Sequence, residues 1–192
     1  MPTPSDSHRA LLKQLGRFLR DSQKILDSWN VYSDEHTDLD GWPHDEDAYG
    51  RRASLRDSAT AEAFEDVGDG ARHLPATAQA QLTHLPARTV QSRWVWQLGV
   101  LHEALDRLDG LHEKWLESLD SLPAGARPGT EAFDDALAVH HAEAWSSLDD
   151  WATHGHVVCD INTAARHAPS PLAPPPTATA APATGRASRV RS

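Results

Sequence analysis

Apolar side chains follow an alternating spacing of four and three residues along the segment from about Ala87 to Leu122. An average repeat of about 3.5 residues is typical of a helix that buries one face in left-handed coiled-coil packing. The apolar positions are Trp94, Leu98, Leu101, Leu105, Leu108, Trp115, Leu119 and Leu122. His112 occupies the remaining step of the pattern. The sequence therefore predicts one long amphipathic helix with a single polar residue on its buried face.

Weaker stripes of the same kind, separated by turns that contain glycine and proline, predict the other helices. The predicted helices run from about His8 to Tyr32, Asp47 to Val67, Pro75 to Leu85, Pro86 to Leu122 and Thr130 to His167. Alternating runs of strand-forming residues are nearly absent. Because short connections make neighbouring helices antiparallel, we expect an all-α, antiparallel up-and-down bundle of four long helices, with the third helix as a short connector.

The composition changes at Ala168, where a segment rich in proline and alanine begins. This segment contains one leucine and one valine and cannot bury enough apolar surface to fold, so we expect a disordered tail over residues 168–192. Three arginines, Arg186, Arg189 and Arg191, make its end basic. The predicted organisation is a helical bundle domain, residues 1–167, followed by this tail.

The chain is acidic, with a formal net charge of -10 at pH 7. This charge disfavours binding to nucleic acid or to anionic membranes. The sequence contains no run of about eighteen apolar residues and no signal-like start. Its lone cysteine, Cys159, cannot form an intramolecular disulfide, which agrees with a reducing compartment. We therefore expect a cytoplasmic protein.

Each long stripe contains a polar residue near its middle, and the predicted hairpins bring these residues to one level. His112 lies ten residues before the end of its predicted helix, and His140 lies ten residues after the start of the next. Ser22 and Asp57 have the same relation in the first predicted hairpin. Because an unpaired buried polar group costs about 1 to 3 kcal/mol, these side chains should bond to one another, to water or to an ion.

Two interpretations of this polar layer stay open. In the first, Ser22, Asp57, His112 and His140 form a hydrogen-bonded layer that fixes the register of the bundle. In the second, His112, His140 and Asp57 bind Zn²⁺ or Fe²⁺ and leave a coordination position open for water or substrate. A ferritin-like di-metal site is not indicated, because the nearest match to its Glu-x-x-His motif is reversed, as His140-x-x-Glu143.

The acidic segment from His36 to Asp47 partly matches a calcium-binding loop. Asp38, Asp40, Gly41 and Asp47 fall at positions three, five, six and twelve of such a loop. The match is incomplete, because position one is a histidine and the bidentate glutamate is replaced by the shorter Asp47. A calcium site at Asp38, Asp40 and Asp47 is therefore an alternative to a plain solvated acidic turn.

The sequence contains no glycine-rich phosphate loop, no nucleophile elbow and no aromatic and basic stripe for nucleic acid. It therefore favours a noncatalytic helical bundle that acts as an interaction, assembly or regulatory subunit, with a protein partner or a second copy and without a cofactor. The alternative is a small metal- or ligand-binding bundle, with or without enzymatic activity, built on the buried His/His/Asp layer with zinc or iron. We expect neither nucleic acid nor a membrane as a partner.

Overall fold

The computed structural model describes residues 4–168, with side chains from residue 6 onward. Its helices are α1 (Pro4–His36), α2 (Glu46–Gly68), α3 (His73–Leu82), α4 (Ser92–Asp120), α5 (Glu131–His154) and α6 (His156–His167). The described backbone contains one isolated β-bridge, which pairs Thr37 with Pro43. The all-α prediction is confirmed. The predicted tail, residues 168–192, lies outside the described residues apart from Ala168.

No helix within residues 4–168 combines the length and the apolar character that a membrane crossing requires.

The long helix predicted from the coiled-coil stripe is shorter at its start than expected. It begins at Ser92 rather than near Ala87. Residues after Pro86 form a turn in which the backbone N–H of Thr89 donates to the carbonyl of Pro86 at 2.8 Å. Gln91 then has an extended backbone, with φ -89° and ψ 132°. The apolar stripe starts at Trp94, so these preceding residues had no packing signal that required a helix.

The fifth predicted helix, which was expected to continue to His167, is interrupted at Gly155, where α5 ends and α6 begins. A Cβ atom at this glycine would lie 2.6 Å from the carbonyl oxygen of Trp151 and 3.1 Å from Cδ2 of Leu19. The missing side chain therefore allows Leu19 and Leu15 of α1 to approach the break between α5 and α6 closely, and α6 then packs against α3 and α4.

The α1–α2 and α4–α5 pairs are antiparallel hairpins, as predicted. In the first hairpin, the rings of Phe18 and Phe64 lie 5.0 Å apart near one end. Near the other end, Trp29 lies 4.9 Å from Tyr49. In the second hairpin, Trp96 meets His154 at 5.0 Å and Trp115 meets Phe133 at 5.6 Å.

The two hairpins meet through α2 and α5, and these two helices run parallel. The Arg56 guanidinium of α2 lies 3.8 Å from the Trp145 ring of α5, and further along both helices Phe64 lies 5.4 Å from Trp151. In a closed up-and-down bundle these two helices would be diagonal partners. Instead, α4 contacts α3, α5 and α6 but neither α1 nor α2. The four long helices therefore form two antiparallel hairpins that meet through α2 and α5, and they do not pack as a closed four-helix bundle.

The most deeply buried side chains lie where α3 and α6 pack against each other and against α4. Trp151 is fully buried beside Phe64, which also packs on Phe18. The other core residues with exposures of at most about one hundredth include Leu15, Val67, Leu74, Leu98, Leu101, Val157, Val158 and Ile161. We call this region the closed end.

Candidate functional site

The stripe of α4 is buried at the closed end and only half-buried beyond it. Trp94, Leu98, Leu101 and Leu105 are buried. Trp115, Leu119 and Leu122 are half-buried, although they continue the same stripe. Because α4 does not contact α1 or α2, this second part of the helix packs against α5 alone. We call residues 110–144, which form this part of the hairpin, the open end.

The four residues of the predicted polar layer do not share one interior. Ser22 and Asp57 are buried, His140 is half-buried and His112 is exposed. The hydroxyl of Ser22 has no hydrogen-bond partner among the described residues. Since α4 does not contact α2, the helices that carry His112 and Asp57 do not face each other. A straight helix also rotates its heptad stripe by about 20° per heptad, which turns a late stripe position away from the core.

The carboxylate of Asp57 is instead paired with Arg56, a residue that the stripe analysis did not single out. Oδ1 of Asp57 accepts hydrogen bonds from Nε of Arg56 at 2.8 Å and from Nη2 at 2.6 Å. The guanidinium lies between two indole rings, 4.4 Å from Trp29 and 3.8 Å from Trp145. Burial raises the pKa of Asp57, and the bond to Arg56 opposes that increase. This arrangement joins α1, α2 and α5, and it satisfies the carboxylate without a metal ion.

The charge of Asp57 acts on the pKa of His141, and not on that of the neighbouring His140. Burial lowers the pKa of His141, while the Asp57 carboxylate and Glu65 act in the opposite direction. His140 is stacked on the Trp115 ring at 5.3 Å. Burial lowers its pKa as well, with smaller contributions from His141 and His112. The two adjacent imidazoles therefore belong to different surroundings, one toward α2 and one toward α4.

The described residues do not assemble either predicted metal site. Across residues 4–168, no three His, Cys, Asp or Glu side chains are grouped so that they could hold a metal ion. His112, His140 and Asp57 are therefore not gathered into one ligand set. The same holds for the predicted calcium ligands Asp38, Asp40 and Asp47, for which the local geometry gives a reason.

The acidic segment is a tight turn whose first aspartate binds backbone. Oδ1 of Asp38 accepts hydrogen bonds from the backbone N–H groups of Asp40 and Trp42, each at 2.9 Å. Gly41 closes the turn with φ 84°, a value that favours glycine. Asp47 lies in the first turn of α2, where a carboxylate interacts favourably with the helix dipole. These carboxylates thus shape the turn and the start of the helix.

An open groove of about 320 Å³ runs between α4 and α5 at the open end. It is lined by Leu111, Lys114, Trp115, Ser118, Ala136, Val139, His140 and Glu143, and we call it the hairpin groove. Val139 is 60% exposed. On α4, Leu116 follows the lining residue Trp115 and is 50% exposed. Sequence reasoning missed Val139 because it lies outside the predicted stripe. The only signal for it was a large aliphatic residue next to the stripe position His140.

Comparisons with protein-family models, with curated proteins and with solved structures found no match to this chain.

Proposed function

We propose that this chain is a noncatalytic α-helical module that acts as an interaction, assembly or regulatory subunit, and that the hairpin groove is its contact surface. One observation carries the proposal. The apolar stripe of α4 continues through the open end, where α5 is the only helix of the described residues that packs against it. A coiled-coil stripe with one neighbour leaves apolar surface that another helix can cover.

The apolar content of the groove supports this proposal. Single exposed aliphatic residues are normal on a protein surface and need no explanation. Here Val139 borders a groove that also contains Leu111, Trp115 and Ala136. Covering apolar surface contributes about 25 cal/mol per Å² before the costs of association are subtracted. A groove of this composition between two helices is suited to receive a helix or an exposed side chain of a partner.

The alternative, a metal- or ligand-binding bundle, has less support. Its buried carboxylate, Asp57, is bonded to Arg56, and its first histidine, His112, is exposed. No ligand group of three has formed among residues 4–168. Near-stoichiometric zinc or iron in purified, untagged protein, lost in His112→Ala, would favour this alternative over the interaction module.

Photocrosslinking tests the contact surface directly. A benzophenone amino acid replaces Val139 in the full-length protein, which is expressed in its native cells. We expect one discrete, saturable adduct on irradiation, because a crosslinker at a specific contact is held against one partner. The matched control position is Val31 of α1, which is 59% exposed against 60% for Val139.

The control determines how the adduct is interpreted. Val31 has the same residue type, lies in a helix and is equally exposed, so random collisions should label both positions equally. Equal labelling at the two positions, or no adduct at Val139, contradicts the proposal. Addition of Ala136→Asp should remove the adduct, since it places a charge in the groove without touching the crosslinker.

A further inference from the structure

The open end is strongly acidic, which limits what it can bind. It contains seven carboxylates and two cationic side chains, a net charge of -5 with histidine neutral. They are Glu113, Glu117, Asp120, Glu131, Asp134, Asp135 and Glu143, with Lys114 and Arg127. Within the described residues, none of these nine side chains forms a salt bridge. Two open ends that faced each other in a symmetric pair would therefore repel.

The acidic charge lies close to the apolar part of the groove. Asp135 and Glu143 are one helical turn before and after Val139, so the three side chains share a face of α5. Glu143 also lines the hairpin groove itself. A complementary surface would present an apolar side chain with cationic groups one turn away.

The α2 helix carries such a surface. Leu55 is 60% exposed, and Arg51 and Arg52 lie one turn before it. Nη2 of Arg52 donates a hydrogen bond to Oγ of Ser28 at 2.8 Å, and its guanidinium lies 5.5 Å from the Tyr32 ring. These contacts hold one of the two cations in place beside Leu55. We call Arg51, Arg52 and Leu55 the basic ridge.

We infer that the occupant of the hairpin groove is the basic ridge of a second copy of this chain. The inference rests on the proposed function and names its partner. Leu55 of one copy enters the groove beside Val139 of the other, and the two arginines approach the carboxylates of α5. Ridge and groove are different surfaces, so in a head-to-tail contact each copy uses its ridge with one neighbour and its groove with another.

Two double variants of the full-length protein test this contact, and in both the charged and apolar side chains are replaced by uncharged polar ones. The groove variant is Val139→Ser with Glu143→Gln, and the ridge variant is Arg51→Gln with Leu55→Ser. We expect the wild-type mass in light scattering and sedimentation to rise with concentration and to fall with added salt. Each variant alone should associate at least about tenfold more weakly than the wild type, as expected when a central contact is truncated.

Mixing the two variants is the decisive measurement. One intact ridge and one intact groove remain in the mixture, so we expect a heterodimer that grows no further. The control is Val31→Ser with Glu35→Gln, which changes the same residue types at the same spacing on α1. This control should associate as the wild type does, and circular dichroism should show that all variants are folded.

Three outcomes overturn the inference: a wild-type monomer at millimolar concentration, a mixture that stays monomeric, or an equal loss of association in the control. A monomeric wild type that still gives a discrete adduct at Val139 with another protein overturns this inference and leaves the proposed function standing. The absence of any adduct at Val139 contradicts the proposed function and this inference together.

Discussion

The two parts of α4 have similar sequences and different surroundings. At the closed end, Leu98 and Leu101 are almost fully buried among α3, α5 and α6. At the open end, Trp115 and Leu119 stand in the same heptad stripe but are half-buried, because only α5 packs beside them. The stripe therefore identifies the face that a helix turns toward its neighbours. It does not tell how many neighbours are present.

This difference explains why the interior of the molecule and its contact surface are built from the same residues. A leucine with three neighbouring helices stabilises the fold, whereas a leucine with one neighbour leaves apolar surface for another chain. One prediction compares a closed position with an open one, a second compares two glycines with different surroundings, and the last concerns histidines of the open end.

The largest expected difference comes from making the same leucine-to-alanine change in each of the two parts of α4. Leu101→Ala removes a fully buried side chain, and we expect a loss of about 2 to 5 kcal/mol in the free energy of unfolding. Leu116→Ala, on the 50% exposed position, should change it by about 0.5 kcal/mol or less. Urea unfolding followed by circular dichroism measures both. Similar losses would mean that the open end is as well covered as the closed end.

The bend at Gly155 should be the next most sensitive point. An alanine Cβ there would lie 2.6 Å from a backbone oxygen that cannot move freely, so we expect Gly155→Ala to cost about 1 to 3 kcal/mol. The matched control is Gly99→Ala, inside α4, where a Cβ would meet nothing within 4 Å.

For this control the expected sign is opposite. Alanine is favoured over glycine in a helix by about 1 kcal/mol, so Gly99→Ala should stabilise the protein. Thermal unfolding of both variants gives the comparison. A neutral Gly155→Ala would show that Trp151 and α1 can move away from this position without loss, and that the closed end is looser than its burial indicates.

The helices themselves could be predicted because their signal is local. Apolar spacing, together with glycine and proline at the breaks, located α1, α2, α3 and the α4–α5 hairpin. The break at Gly155 was not predicted, since the apolar stripe runs through it and the contacts with Leu19 and Leu15 come from a helix distant in sequence. The parallel contact of α2 with α5 was missed for a related reason, because a stripe does not specify which helix it faces.

The candidate site was less predictable than the fold. The level of the polar residues along the hairpins followed from counting residues, but their direction depends on the helix arrangement. Arg56 was overlooked because its value to the core comes from Trp29 and Trp145, which are distant in sequence. Val139 was overlooked because an exposed aliphatic residue outside a stripe has no periodic signal.

The smallest expected effect concerns the pH dependence of stability at the open end. Burial lowers the pKa of His141 and of His140 below the ordinary value of 6.5. The folded state therefore binds fewer protons than the unfolded state as the pH falls below 6.5, so stability is full near pH 7 and decreases on acidification.

We expect His141→Gln to lose less stability than the wild type between pH 7 and pH 5, and the double variant with His140→Gln to lose less again. Chemical unfolding at several pH values measures these slopes. A half-buried imidazole gives this result, whereas an imidazole surrounded by water and far from other charges would titrate alike in both states. Identical slopes for all three proteins would mean that the open end is wetter than its geometry indicates, and that the hairpin groove has little apolar surface to offer a partner.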